Sequence, residues 1–134
     1  MLIQVRQEIG DVTMLFNNAG VGEVYDRPWE IEMRTVRKVI EVNLISHFST
    51  LKAFLPAMIR ENKGHVVATC SVFGFLFFER QSPYCASKAA VRAAMECLKQ
   101  DLLKDNPDNK VQVSLVYPAL VHTNMTASLD LRPK

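Results

Sequence analysis

The stretch His65-Val66-Val67-Ala68-Thr69-Cys70-Ser71 decides the fold. Residues 65–70 form a short apolar run with β-branched residues, which predicts a buried strand. The run stands between two long helical stretches. Before it, residues 30–62 place Ile31, Val36, Val39, Ile40, Val42, Leu44 and Ile45 at helical spacing, and Leu51, Phe54, Leu55 and Met58 continue the stripe. Pro56 predicts a kink or a split there, and Asn62-Lys63-Gly64 a stop. After it come a loop, 71–81, and an Ala-rich helix to about residue 104. Ser82 is expected as its cap and Pro83 as its first residue.

Two more strands flank this unit. Residues 12–16 are a short β-branched run, preceded by the last turns of a helix over 2–9 that Gly10 and Asp11 close. A Gly- and Asn-containing loop follows over 17–28. Residues 111–117 form the third strand, after a polar turn at 105–109, and Pro118 ends it. Crossovers of this length require parallel pairing. The expected fold is α/β, a partial Rossmann-like parallel sheet of three strands and two long helices, with helices on both faces. Ligands of such sheets sit beyond the carboxyl ends of the strands. Those ends are residues 17–20, 71–74 and 118–123.

Composition narrows the function. The chain has 134 residues, 49% apolar and 22% charged, with a net charge of +2. This excludes disorder along the whole chain, and 5 Gly and 3 Cys exclude collagen-like and disulfide scaffolds. The charge forms no concentrated basic face for a nucleic acid. No apolar run reaches the length of a membrane span, and the first residues do not read as a secretory signal. The odd, unpaired Cys70, Cys85 and Cys97 read as reduced thiols in an intracellular compartment. His47, His65 and His122 show no ligand spacing and read as structural or surface residues; no metal site is expected.

Tyr84 and Lys88 lie four apart and share a helix face. A free tyrosine titrates at about 10, and a nearby ammonium favours its phenolate, which makes an acid/base near neutral pH. Ser71 precedes Tyr84 by 13 residues at a strand end, where its hydroxyl can hold a substrate oxygen. Asn43 is a poor helix former inside a helix and needs a reason to be there.

Asn17-Asn18-Ala19-Gly20, Val42-Asn43-Leu44, Ser71 with Tyr84-Cys85-Ala86-Ser87-Lys88, and Pro118 with Thr123 stand in the order and at the distances found in short-chain dehydrogenase/reductases. The chain resembles that family over residues 12–125. Around 52–58 and 64–67 it is similar to the retinol and 17β-hydroxysteroid dehydrogenase branch. The resemblance implies an Asn43–Ser71–Tyr84–Lys88 catalytic tetrad and NAD or NADP as cofactor. Tyr84 would be the acid/base, Ser71 would orient the substrate, Lys88 would lower the Tyr84 pKa and bind the nicotinamide ribose, and Asn43 would hold a relay water through its backbone. Asn18, Ala19 and Gly20 would line the adenine-side ribose. Pro118, Val121 and Thr123 would face the nicotinamide. Phe73, with Ser71 and Tyr84, would contact a lipid-like alcohol or carbonyl substrate, and the phenylalanines at 75, 77 and 78 read as loop packing, a substrate wall or a membrane contact.

The sequence departs from the family at its start. No glycine trio of the GxxxGxG kind is present. About 70 to 90 residues of the family pattern, with its first βαβαβ segment, have no counterpart here, and neither does its last strand. Residues 1–134 are therefore expected to be a single, incomplete Rossmann-type dehydrogenase domain. NAD and NADP stay undistinguished. Ala119 stands where the family often has Gly. The family implies a homodimer through the two long helices, and Met95, Leu98 and Leu102 read either as that face or as a stripe packed on the sheet; the branch implies the cytoplasm or the cytosolic face of the endoplasmic reticulum or lipid droplet. Two functions follow: an oxidoreductase of the family, or a chain without activity, which is either an inactive truncated fragment or a dimerisation or interaction module.

Overall fold

The structure is a computed structural model and describes residues 5, 7–22 and 26–121. Three strands, β1 (Met14–Asn17), β2 (Gly64–Thr69) and β3 (Val111–Val116), pair in parallel in the order β1-β2-β3. Leu15 stands opposite Val66, and Val66 opposite Val113. Between β1 and β2 run α1 (Met33–Ile40), a π-helical turn (Glu41–Ile45) and α2 (Ser46–Arg60). A 3₁₀ turn (Val72–Gly74) and α3 (Ser82–Asp105) join β2 to β3. Near the start, Ile9 and Gly10 N–H groups donate to the Val5 carbonyl and close a helical turn, as expected.

The long helical stretch is irregular, but not where Pro56 predicted. Helix α2 continues through Pro56, whose ring faces solvent. Water can then satisfy the carbonyl that lost its donor. The irregularity is the wide turn at Asn43. Asn62 closes the stretch with a φ of +46°, and the Lys63 N–H donates to the Met58 carbonyl. Ser82 is not the cap of α3. It lies within the helix, Gln81 precedes it, and no side chain caps that end; Pro83 stands in the first turn, where its missing N–H costs nothing.

One apolar core forms between the helices and one face of the sheet. Leu15, Val66, Ala68 and Val111 meet Leu51, Leu55 and Met58 of α2, and Val91, Met95 and Leu102 of α3. Helix α1 and the π turn pack against α3. Among the described residues the helices thus cover one face, not both. The other face carries Met14, Phe16 and Val116, which remain exposed. The reason is topological: strands in sequential order bring consecutive crossovers of the same hand to the same side. Of the two readings of Met95, Leu98 and Leu102, the structure shows the packed one: Met95 and Leu102 are in this core and Leu98 packs against it.

Candidate active site

The carboxyl ends of the strands gather the expected residues. Ser71 follows β2 after Cys70. Its hydroxyl accepts the Phe73 N–H at 3.2 Å and opens the 3₁₀ turn. Gly74 lets that turn lie on α3, since a Cβ there would stand 3.2 Å from the Lys88 carbonyl oxygen. This close approach sets Ser71 against the first turns of α3, within hydrogen-bonding reach of the Tyr84 phenol. Phe73 meets the Tyr84 ring edge-on at 5.8 Å between centroids. The loops after β2 and β3 are tied by the Val72 N–H, which donates to the Pro118 carbonyl at 3.1 Å.

Lys88 is buried one turn beyond Tyr84, with its ammonium 5.8 Å from the Tyr84 ring centre. Its Nζ donates to the Thr69 carbonyl at 2.9 Å. Gly20 faces it. A Cβ on Gly20 would lie 3.5 Å from Lys88 Nζ and 3.6 Å from Asn43 Oδ1, so the bare glycine keeps the space between these groups clear. Asn18 Oδ1 accepts the Thr69 hydroxyl at 2.9 Å, which holds the first loop to the end of β2. Gly20 thus borders Lys88, Asn18 and Ala19 precede it in the same loop, and Pro118 and exposed Val121 follow β3. Thr123, with His122, lies outside the described residues.

Asn43 is fully buried and its amide is fully used. Its Oδ1 accepts the Val21 N–H at 2.7 Å, and its Nδ2 donates to the Val21 carbonyl at 2.9 Å and to Ser87 Oγ at 3.0 Å. Ser87 Oγ donates in turn to the Tyr84 carbonyl at 2.7 Å. One side chain therefore clamps the loop after β1 to the helix that carries Tyr84 and Lys88. The amide that the helix tolerates poorly earns its place by this two-point bond. Asn43→Leu keeps the volume but strips Val21 of both partners; it should cost about 2–4 kcal/mol, read as a lower midpoint in urea unfolding.

The electrostatics correct one expectation. The net shift of the Tyr84 phenol is upward, although the Lys88 ammonium lies beside its ring. Burial pushes the phenol above its ordinary value and outweighs the hydrogen bond from Ser71, which pulls the other way. Lys88 itself is held below its usual value, again by burial. Cys70 is buried beside the site and its thiol is raised, first by burial. The three cysteines are free.

The sequence reading missed Ser87, Thr69 and His47. Ser87 could have been suspected, since it sits between Tyr84 and Lys88 and faces Asn43. His47, read as structural or surface, is buried one turn after Asn43, and its pKa is lowered from 6.5 to about 4 by burial and then by the charge of Lys88. Among the described residues no three His, Cys, Asp or Glu side chains gather as metal ligands, and no helix is long and apolar enough to cross a membrane.

The chain is 40% identical over 126 residues to the short-chain dehydrogenase/reductase family 16C member 6 of Bos taurus, covering 91% of this chain and 38% of that protein. It is 39% identical over 132 residues to retinol dehydrogenase 10 of Xenopus tropicalis, covering 96% of this chain and 37% of that one. The chain thus spans less than two-fifths of the length of these relatives. A short chain dehydrogenase/reductase from Burkholderia phymatum, solved in complex with NAD, superposes with a TM-score of 0.86 at 34% identity, over 98% of this chain and 46% of that one. The family model for short chain dehydrogenases matches residues 1–134. The chain belongs to the short-chain dehydrogenase/reductase family.

Proposed function

We propose that this chain supplies the catalytic part of an oxidoreductase that interconverts an alcohol and a ketone or aldehyde on a retinoid, a steroid or another lipid-like substrate, with NAD or NADP. Residues 1–134 would form part of a single dehydrogenase domain. The observation that carries the reading is the convergence of Ser71, Tyr84, Lys88 and the Asn43 clamp at one end of the sheet.

The residues present fit a nicotinamide cofactor. Gly20 leaves open the space beside Lys88, and Lys88 has donors beyond the one given to Thr69. When bound, the nicotinamide supplies or accepts the hydride. Lys88 would bond its ribose, Asn18, Ala19 and Gly20 would line the adenine-side ribose, and Pro118, Val121 and Thr123 would face the nicotinamide end.

The chain's own groups then handle the oxygen and the proton. Ser71 accepts from Phe73, and its one hydrogen, which acts on Tyr84, would turn to the substrate oxygen. Tyr84, a phenol that burial holds still more firmly in its neutral form, gives its proton to a carbonyl oxygen during reduction. In oxidation it takes the proton back as phenolate. The Lys88 ammonium beside the ring stabilises that phenolate once it forms. The Asn43 amide is spent on Val21 and Ser87, so the relay water would be held by its main chain. The relatives named as retinol dehydrogenases and the edge of Phe73 on Tyr84 support a lipid-like substrate. Phe75, Phe77 and Phe78 would extend the apolar wall. Exposed Phe48 and Ile59 on α2 and Leu103 on α3 would serve a homodimer. Such a substrate would place the protein at the cytosolic face of the endoplasmic reticulum or a lipid droplet.

The test measures the melting midpoint with NAD(H) and with NADP(H), and nicotinamide absorbance with retinol, a steroid and a short alcohol. One cofactor should raise the midpoint, and a lipid-like alcohol should be turned over faster than the short one. A cooperative melt unmoved by either cofactor, with no turnover, would replace this reading by that of an interaction module.

A further inference from the structure

At the end of β1 and the start of α2, buried polar atoms lack a partner among the described residues: Asn17 Nδ2 and both ring nitrogens of His47. Their side chains are 5% and 1% exposed. His47 opens α2 one turn after Asn43, on the same helix face. Asn17 ends β1, just before the Asn18-Ala19-Gly20 loop. Thr50, a further turn along α2, ties that helix to Asn17, since its hydroxyl donates to Asn17 Oδ1 at 2.7 Å.

The inventory of donors and acceptors is lopsided. His47 is neutral, so it presents one N–H and one bare nitrogen. Asn17 Nδ2 adds donors. Lys88, 3% exposed, has three N–H groups, and among the described residues one goes to Thr69. Donors exceed acceptors, and a buried donor without an acceptor costs as much as a lost hydrogen bond. An internal water corrects this, because it accepts two bonds and donates two and binds where two to four polar groups converge.

We infer that His47 and Asn17 hold internal water against Lys88, and that His47 is through this water a positioning residue which keeps the ammonium beside Tyr84. This rests on the catalytic reading above. The water restores part of the hydration that Lys88 loses on burial. The titratable groups facing Lys88 are His47 on α2, Cys70 after β2 and Tyr84 on its own helix. Cys70 favours the charged lysine when ionised, but its own pKa is raised. Among the described residues, no facing anion therefore replaces the water at neutral pH.

The test has two independent readouts. In the ¹⁵N-histidine-labelled chain, the His47 ring protons should show magnetisation transfer from long-lived water. In turnover, His47→Leu should lower kcat about tenfold with KM for the cofactor unchanged. It should also move the high-pH limb of the kcat profile down by roughly one pH unit, as Lys88 loses its proton more easily. His47→Asn, which keeps a donor and an acceptor, should restore most of both. Absence of water contact at the ring overturns the inference, whether or not His47→Leu folds. So does a His47→Leu enzyme with parental kcat and pH profile. Failure of the catalytic reading looks different: turnover then survives Tyr84→Phe, or no alcohol is turned over, while the water contact stands or falls by itself.

Discussion

Tyr84→Phe should reduce turnover by about 10³-fold, the scale lost when a positioned acid/base group is removed, and leave the fold in place. The substitution deletes one oxygen. The ring keeps its edge contact with Phe73 and its place beside the Lys88 ammonium. Ser71 loses a partner but still accepts the Phe73 N–H. The stability change should stay near 1 kcal/mol. Paired measurements of kcat and of the circular-dichroism melt check this, and turnover near the parental rate would remove Tyr84 from the mechanism. The raised phenol adds a sign. Below its folded pKa Tyr84 carries its proton, so carbonyl reduction should be level between about pH 6 and 8. Alcohol oxidation, which needs the phenolate, should climb across the same range.

Acid should weaken the fold through His47. The ring titrates at 6.5 when free but resists a proton down to about 4 when buried beside Lys88. Below pH 6.5 the unfolded chain takes up a proton that the folded chain refuses. The contribution is fully present above 6.5 and is lost as pH falls toward 4, about 3 kcal/mol in all. Urea midpoints at neutral pH and near pH 4.5 measure it. His47→Asn, which cannot titrate, should flatten the difference. An unchanged slope in that variant would assign the acid sensitivity to other groups.

Much of this was visible in the chain itself. The three strands, the stop at Asn62 and the Pro83 start are local signals, written in β-branched runs and in residues with restricted φ. The Tyr84–Lys88 spacing and the serine at a strand end announce the site because helix geometry turns spacing into proximity. What stayed hidden depends on partners far along the chain. Asn43 looked out of place in a helix, but its reasons are Val21, 22 residues before, and Ser87, 44 after. The sign of the Tyr84 shift follows from burial, which spacing does not encode. Met14 and Phe16 are apolar on the same side of β1, so the strand read as covered on both faces, although the described helices shield only one.

The wide turn at residues 41–45 also bears on how the gene can vary in length. A π-helical turn holds one residue more than the α-helical turn it replaces. An in-frame loss of the Leu44 codon would let 33–60 run as one regular helix, yet each residue beyond the deletion would rotate by about 100° relative to those before it. Either Asn43 would leave Val21 and Ser87, or Leu51, Leu55 and Met58 would leave the core. Codon gains and losses should therefore be tolerated in the polar turn after α3 and barred from this segment, even though the deletion itself would favour the helix.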